Sequence, residues 1–337
     1  MTLAKIKEND YLYSTSRVKS IEKHMLTRER AEKMIDAKTM EDALRVLDDC
    51  YYGYSNEVTD FNDYEGLLAE EHKKTYDFIR SIAPEAEHFN LFLYPYDYHN
   101  LKVLMKNEYL NKNETDILVD TGTIDLKVLM HALKERSFTD LTENMGKALN
   151  EVIEEFPKTK DPQLIDIIFD RYCFDEMLKA AEKTNNEYII DYVKMQIDSN
   201  NIKTFVRLKK MKKSWDFFSR VFLQGGKVHE HIFIRNYDEP FEKFGELLLA
   251  YDFKEVFLEG TEALAETGKF TKLEKLLDNK LMEHVKSAKY FPYGIEALAG
   301  YLIAKDNEIK TARIILAGKT AGISPELIKE RLRENYV

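Results

Sequence analysis

A pattern roughly a hundred residues long is written three times along this chain, and a chain built from repeats of that length has few ways to fold. The tracts Asp97-Tyr98-His99-Asn100-Leu101-Lys102, Asp198-Ser199-Asn200-Asn201-Ile202-Lys203 and Lys305-Asp306-Asn307-Glu308-Ile309-Lys310 end alike. Their lysines fall at 102, 203 and 310, at intervals of 101 and 107. Each lysine opens a similar apolar and basic tract, as in Val103-Leu104-Met105-Lys106 and Thr204-Phe205-Val206-Arg207. One structural unit used three times is the simplest cause.

A second phrase keeps the same period: Gly122-Thr123-Ile124-Asp125, Gly226-Lys227-Val228-His229 and Gly322-Ile323-Ser324-Pro325. The last copy reads as a helix start, because Ser324 can cap free amides, Pro325 suits the first helical position and Glu326 complements the positive end of the dipole. Met25-Leu26-Thr27-Arg28 is the same phrase without its glycine. Each unit then begins with this helix and ends with the Asn/Glu-Leu/Ile-Lys helix. The predicted division is residues 1–118, 119–222 and 223–337, with the phrase at Gly322 left over as a closing C-terminal helix. Repeats joined head to tail either run on as an open solenoid or close into a ring. A last helix that resembles the first favours closure, and the expected architecture is a pseudo-threefold funnel.

The fold class expected is all-α. Apolar residues recur at three- and four-residue steps, as at Leu26, Met34, Ile35, Ala43, Leu44 and Leu47, and no alternating pattern persists beyond a few residues. Only 13 Gly and 7 Pro serve 337 residues, and 33% of residues are charged, which suits helices joined by short loops. Thr39, Asp97, Asp125 and Ser324 are predicted helix starts. Gly53, Pro95, Gly122, Pro157, Pro162, Gly225-Gly226, Pro240 and Pro292 are predicted stops or turns.

Cys50 and Cys173 lie far apart and have no metal-ligand spacing, so two reduced, structural thiols are expected. The first ten residues lack the basic start and apolar core of a secretory signal, which points to the cytoplasm. The most apolar window, from Phe291 to Ala304, is interrupted by Pro292, Gly294, Glu296 and Gly300 and is shorter than the ~20 apolar residues a bilayer span requires. Any membrane association is then peripheral. A formal net charge of -10 argues against general affinity for nucleic acid or anionic lipid, while leaving room for local patches.

Three sets of residues invite chemistry. The repeated corners supply Asp97, Asn100, Asp198, Asn201 and Glu308 as candidates for holding the joints between units, with Lys102, Lys203, Lys310 and Arg313 as candidate contacts. The run Lys203, Arg207, Lys209, Lys210, Lys212 and Lys213, ending at Trp215, is the strongest local charge feature. It fits a solvated helix face, an anionic headgroup surface or an acidic partner. His229-Glu230-His231 lacks metal geometry if both histidines are helical, since residues two apart point in different directions. Gly318-Lys319-Thr320 carries only the tail of a phosphate loop, with Arg313 where the first glycine belongs. No catalytic constellation, cofactor site or metal site is expected.

In this order the motifs resemble the C-type axial component of the prokaryotic V-type (A/V-type) ATPases, equivalent to the d component in eukaryotes. The resemblance runs nearly end to end: Tyr13, Arg17-Val18 and Met25-Leu26; Ala43 to Leu47 and Tyr51 to Gly53; the signatures at 97 to 102 and 198 to 203; Gly225-Gly226; and Glu308 to Arg313. The third copy departs from the pattern, with Glu308 in place of Asn and its Asp shifted by one residue, so that corner is expected to pack differently. The resemblance implies a non-catalytic rotor part on the cytoplasmic face of the membrane, one copy per complex. It would be a socket between the D–F central shaft and the membrane c-ring of proteolipids, for ATP-linked proton or sodium transport. A free-standing helical scaffold is the alternative from the repeats alone, and it would need no closure.

Overall fold

The computed structural model describes residues 8–52 and 63–337. Every regular element among them is helical, as expected. In chain order the first four helices are α1 (Leu12–Glu22), α2 (Arg28–Asp36), α3 (Met40–Asp48) and α4 (Tyr64–Ile82). Then follow α5 (Tyr94–Leu110), α6 (Leu126–Glu135), α7 (Glu143–Thr159), α8 (Pro162–Lys183), α9 (Glu187–Lys210), α10 (Trp215–Val221), α11 (Glu230–Arg235) and α12 (Phe241–Leu247). The last four are α13 (Lys254–Thr267), α14 (Thr271–Lys286), α15 (Ile295–Thr320) and α16 (Pro325–Arg331).

Half of these helices start with a side chain that caps the first turn. Thr27, Thr39, Thr142 and Ser324 each stand in extended backbone and accept from an amide of the first turn. Asp125 accepts from Lys127 in the same way. Two sequence signals read otherwise in the structure. Asp97 is buried inside α5, where it accepts from a distant loop and does not cap. Pro157 sits in the last turn of α7, where its missing N–H costs only one bond near the end of the ladder. Pro95 belongs to the first turn of α5, and Pro162 opens α8. Gly53 lies outside the described residues.

The chain divides into two compact units, one made of Met1–Glu87 with Gly245–Val337 and the other of His88–Phe244. The first unit therefore joins the two ends of the sequence. In it α15 packs against α1, α2 and α4, and α16 against α2. Leu26, Ala31, Met34, Ile35, Ala43, Leu44 and Leu47 share a single apolar cluster with Ile309, Ala312, Ile315, Leu316 and Ile328. At about 1.5–3 kcal/mol for each large side chain fully buried, that cluster is the main force holding the N-terminal helices to the C-terminal ones. The first half of α15 is buried on nearly every side, which is why Ala, Gly, Leu and Ile crowd it.

The second unit is built on α5, α7, α8 and α9. Phe205 of α9 is the centre of an aromatic cluster, with ring centroids 5.7 Å from Phe218, 5.5 Å from Phe233, 5.5 Å from Tyr237 and 4.4 Å from Phe244. These offset and edge-on contacts seat the short helices α10 and α11 on α9, since a helix of six or seven residues has little stability of its own.

Candidate functional site

The repeated corners are three solutions to one problem: a chain leaving a long helix must return to start the next, and its loop amides lose water as they pack against that helix. On α5, Asp97 and Asn100 stand three residues apart and so share a face. Asn100 grips the backbone of Val119 from both sides, its amide donating to the carbonyl at 2.8 Å and its oxygen accepting from the N–H at 2.9 Å. Asp97 accepts from the Thr123 N–H at 2.9 Å, the Thr123 hydroxyl at 2.6 Å and the Ile124 N–H at 3.3 Å. Gly122 lies so close that a Cβ there would stand 1.9 Å from the Asp97 carboxylate, which explains the glycine of the phrase.

The second corner repeats the backbone contacts of the first, without the hydroxyl. Asn201 donates to the Leu223 carbonyl at 2.8 Å and accepts from its N–H at 2.9 Å. Asp198 accepts from the N–H groups of Lys227 at 2.9 Å and Val228 at 3.0 Å, and a Cβ on Gly226 would fall 2.1 Å from its carboxylate. Burial pushes the Asp198 pKa up to about 6, against the pull of the two amides and of Lys227 and His229.

The third corner keeps the task and changes the residues. Leu26 precedes the capping Thr27 as Ile124 precedes Asp125, and its amide donates to Glu308 Oε2 at 2.5 Å. The acceptor thus comes from the position that holds Asn in the other copies, while the position of their Asp is taken by Lys305. Lys305 Nζ lies 2.6 Å from Glu308 and 2.8 Å from Glu71, and 4.4 Å above the ring of Tyr52. All three charges are buried. Burial works against the Lys305 ammonium, but Glu308 and Glu71 overcome it and hold its pKa above the ordinary value. Burial also raises the Glu71 carboxyl, with Lys305 pulling the other way. The shifted Asp306 accepts from the Tyr76 hydroxyl at 3.1 Å and lies 3.2 Å from His72 Nε2. The fourth phrase starts α16 through Ser324 and also closes the helix before it. Gly322, at φ 66°, ends α15 in the left-handed region, and Ile323 N–H returns to the Gly318 carbonyl.

The remaining candidates lie nearer the surface. Lys102 pairs with Asp170, and Lys106 with Asp166 at 2.7 Å, along a groove of about 630 Å³ between α5, α8, α9 and α10. Lys203 is half-buried, whereas Arg207, Lys210 and Lys310 are exposed. Arg313 is exposed and pairs with Glu65 at 3.0 Å. Lys319 donates to the carbonyls of Ile35 at 3.1 Å and Ala37 at 2.5 Å, so it closes the C-terminal end of α2. His229 precedes α11 in extended backbone and is not helical, so its ring is not held away from that of His231: the two stack with centroids 5.8 Å apart. Among the described residues, however, no three of His, Cys, Asp and Glu gather to hold a metal ion. No helix among them is long and apolar enough to cross a membrane. Cys50 and Cys173 are both buried free thiols.

A family model described as ATP synthase (C/AC39) subunit matches residues 14–331. The chain belongs to that family. This C/AC39 protein is 26% identical over 320 residues to the C subunit of the V-type sodium ATPase of Enterococcus hirae, covering 95% of this chain and 97% of that one. It is 24% identical to the C subunit of the A-type ATP synthase of Desulfurococcus, covering 96% and 91%, and 26% identical to that of Methanobrevibacter smithii, covering 90% and 85%. Matches of this extent take in all three corners. What sequence reasoning missed in the C/AC39 protein is Glu71. It sits in the middle of α4, outside every repeated phrase, and the only signal for it was indirect: a lysine in the third copy where the others carry an aspartate demands a carboxylate from elsewhere.

Proposed function

We propose that this C/AC39 protein is a non-catalytic part of the rotor axis in a prokaryotic V/A-type ATPase. It would act as a socket coupling the D–F central shaft to the c-ring, peripheral to the cytoplasmic face of the membrane and present once per complex. The observation that carries this reading is the match over residues 14–331 to the family, together with near full-length likeness to the C subunits of a V-type sodium ATPase and an A-type ATP synthase. The third corner supports it. A socket formed from three units at 1–118, 119–222 and 223–337 needs the last unit tied to the first, and Glu308 binding the Leu26 amide is such a tie.

The mechanical demand agrees with where the energy lies. Exposed ion pairs contribute about 0–1 kcal/mol and cannot hold a joint that carries torque. The N- and C-terminal helices are held by a shared apolar cluster and a buried charge set, with surface pairs such as Arg313–Glu65 as an accessory.

The test is to co-express the chain with the D and F shaft proteins, capture the chain, and weigh the complex by native mass spectrometry. A one-to-one-to-one assembly is the expected result. A chain that stays alone across a range of ionic strength, with and without the c-ring, would overturn the socket and favour a helical scaffold.

A further inference from the structure

From Lys210 through Asp216, the turn after α9 is exposed at every residue. It holds two large apolar side chains in water, Met211 at 62% exposure and Trp215 at 47%. Lys210, Lys212 and Lys213 neighbour them in sequence, and among the described residues none of these three has an ion-pair partner, while Asp216 is the one acid in the segment. Lys213 and Arg220 lie 5.7 Å and 5.1 Å from the centroid of the Phe217 ring, which extends the mixed cationic and aromatic surface.

The turn is fixed from beneath. Lys213 N–H returns to the Leu208 carbonyl, the Tyr237 hydroxyl donates to the Lys213 carbonyl at 3.1 Å, and Lys209 ties back to the Glu239 carbonyl over the rings of Phe205 and Phe241. Such a scaffold presents the tip with little backbone ordering left to occur on contact.

We propose that this turn is an anionic-lipid contact, in which Trp215 and Met211 settle at headgroup depth while Lys210, Lys212 and Lys213 reach the phosphates. An indole flanked by long-stemmed ammonium groups suits that region, where one part of each side chain is apolar and the other wet. The choice of lysine favours a lipid surface over an acidic protein: point charges spaced along a turn match a diffuse layer of phosphates, whereas paired recognition of carboxylates favours the arginine fork. A chain with net charge -10 is repelled by an anionic surface except where such a patch faces it. With no described helix able to span a bilayer, the contact is interfacial.

The chain has a single tryptophan, so its fluorescence reports on this turn directly. The purified 337-residue chain is mixed with vesicles of phosphatidylcholine alone and of equal parts phosphatidylcholine and phosphatidylglycerol. The expected result is a blue shift of Trp215 emission and co-sedimentation with the anionic vesicles only, both reversed by high salt. The Lys210→Gln/Lys212→Gln/Lys213→Gln variant should bind about a hundredfold more weakly, at roughly fivefold per cation. Arginine at the same three positions should retain vesicle binding, and both variants should keep the far-ultraviolet circular dichroism of the parent. Absence of a shift on anionic vesicles, an equal shift on neutral ones, or undiminished binding of a folded glutamine variant would overturn the proposal. So would capture of an acidic protein without vesicle binding. The vesicles contain no other part of an ATPase, so this outcome is separate from that of the shaft experiment.

Discussion

The first two corners and the third do the same work with different electrostatics. At Asp97 and Asp198 a buried carboxylate accepts from the backbone amides of the returning loop, with an asparagine one turn on holding that loop. At the third corner Glu308 accepts a single amide, and Lys305 balances it together with Glu71. The topology of the chain accounts for the difference. The first two loops leave and return within 30 residues of sequence, so local geometry brings the amides to the aspartate. The third joins Leu26 to Glu308 across 282 residues. A charge set that is stable only when all members meet gives a distant pairing one arrangement, at the expense of stability that an apolar contact would have supplied.

Replacing Lys305 by Met breaks that comparison most severely. It leaves two carboxylates buried with no cation, and loss of one partner of a buried pair costs about 3–5 kcal/mol. Urea unfolding of the purified chain should show it, and adding Glu71→Gln and Glu308→Gln to the same variant should recover much of the loss. A single variant within about 1 kcal/mol of the parent would mean that water reaches the triad. Next in size is the loss of the backbone acceptors. Asp97→Ala strands three donors and Asp198→Ala two. At about 1–3 kcal/mol for each unsatisfied buried group, less the relief of no longer burying a charge, a net cost of about 2–3 kcal/mol is expected, larger at Asp97. Equal stability of parent and Asp97→Ala in the same urea titration would mean that water replaces the carboxylate.

The same contrast explains what is legible in the sequence. Period, phrase and composition display the helices because repetition shows its own alignment: Asp97 and Asn100 stand out as a pair since 198 and 201 repeat them. Even the departure at Glu308 is visible as a departure. Its physical content is not, because Glu71 belongs to no repeat and only the fold brings it to Lys305. Asp97 reads as a cap for a related reason. An aspartate at the head of an apolar run looks the same whether it serves its own helix or a loop 26 residues away. The histidine pair turns on a helix boundary, where a shift of one residue removes His229 from the helix.

The pH dependence sharpens the comparison between the corners. Asp198 has its folded pKa raised to about 6, above the ordinary aspartate value near 3.9. The folded state therefore binds its proton more tightly than the unfolded chain does, and this group's contribution to stability is greatest below about pH 4 and falls as pH rises to about 6. The full effect is at most about 3 kcal/mol. Chemical denaturation of the parent and of Asp198→Asn should differ in slope across that window and run parallel above it. Identical slopes would mean that the amides of Lys227 and Val228 hold the carboxylate at its ordinary value.

Smallest of all should be the effect of cutting Arg313 from Glu65 at the exposed edge of the third corner. Both side chains are about half in water, at 45% and 54% exposure. Each loses hydration and rotamer freedom to pair, and salt screens what remains. Arg313→Ala should change unfolding stability by no more than about 0.5 kcal/mol, and less at high ionic strength. The same helix thus carries two ion pairs whose worth differs several-fold through burial alone, one at Lys305 and one at Arg313. If Arg313→Ala proved as damaging as Lys305→Met, burial would not be what distinguishes them, and the tie between the ends of the chain would have to be sought along the outer face of α15.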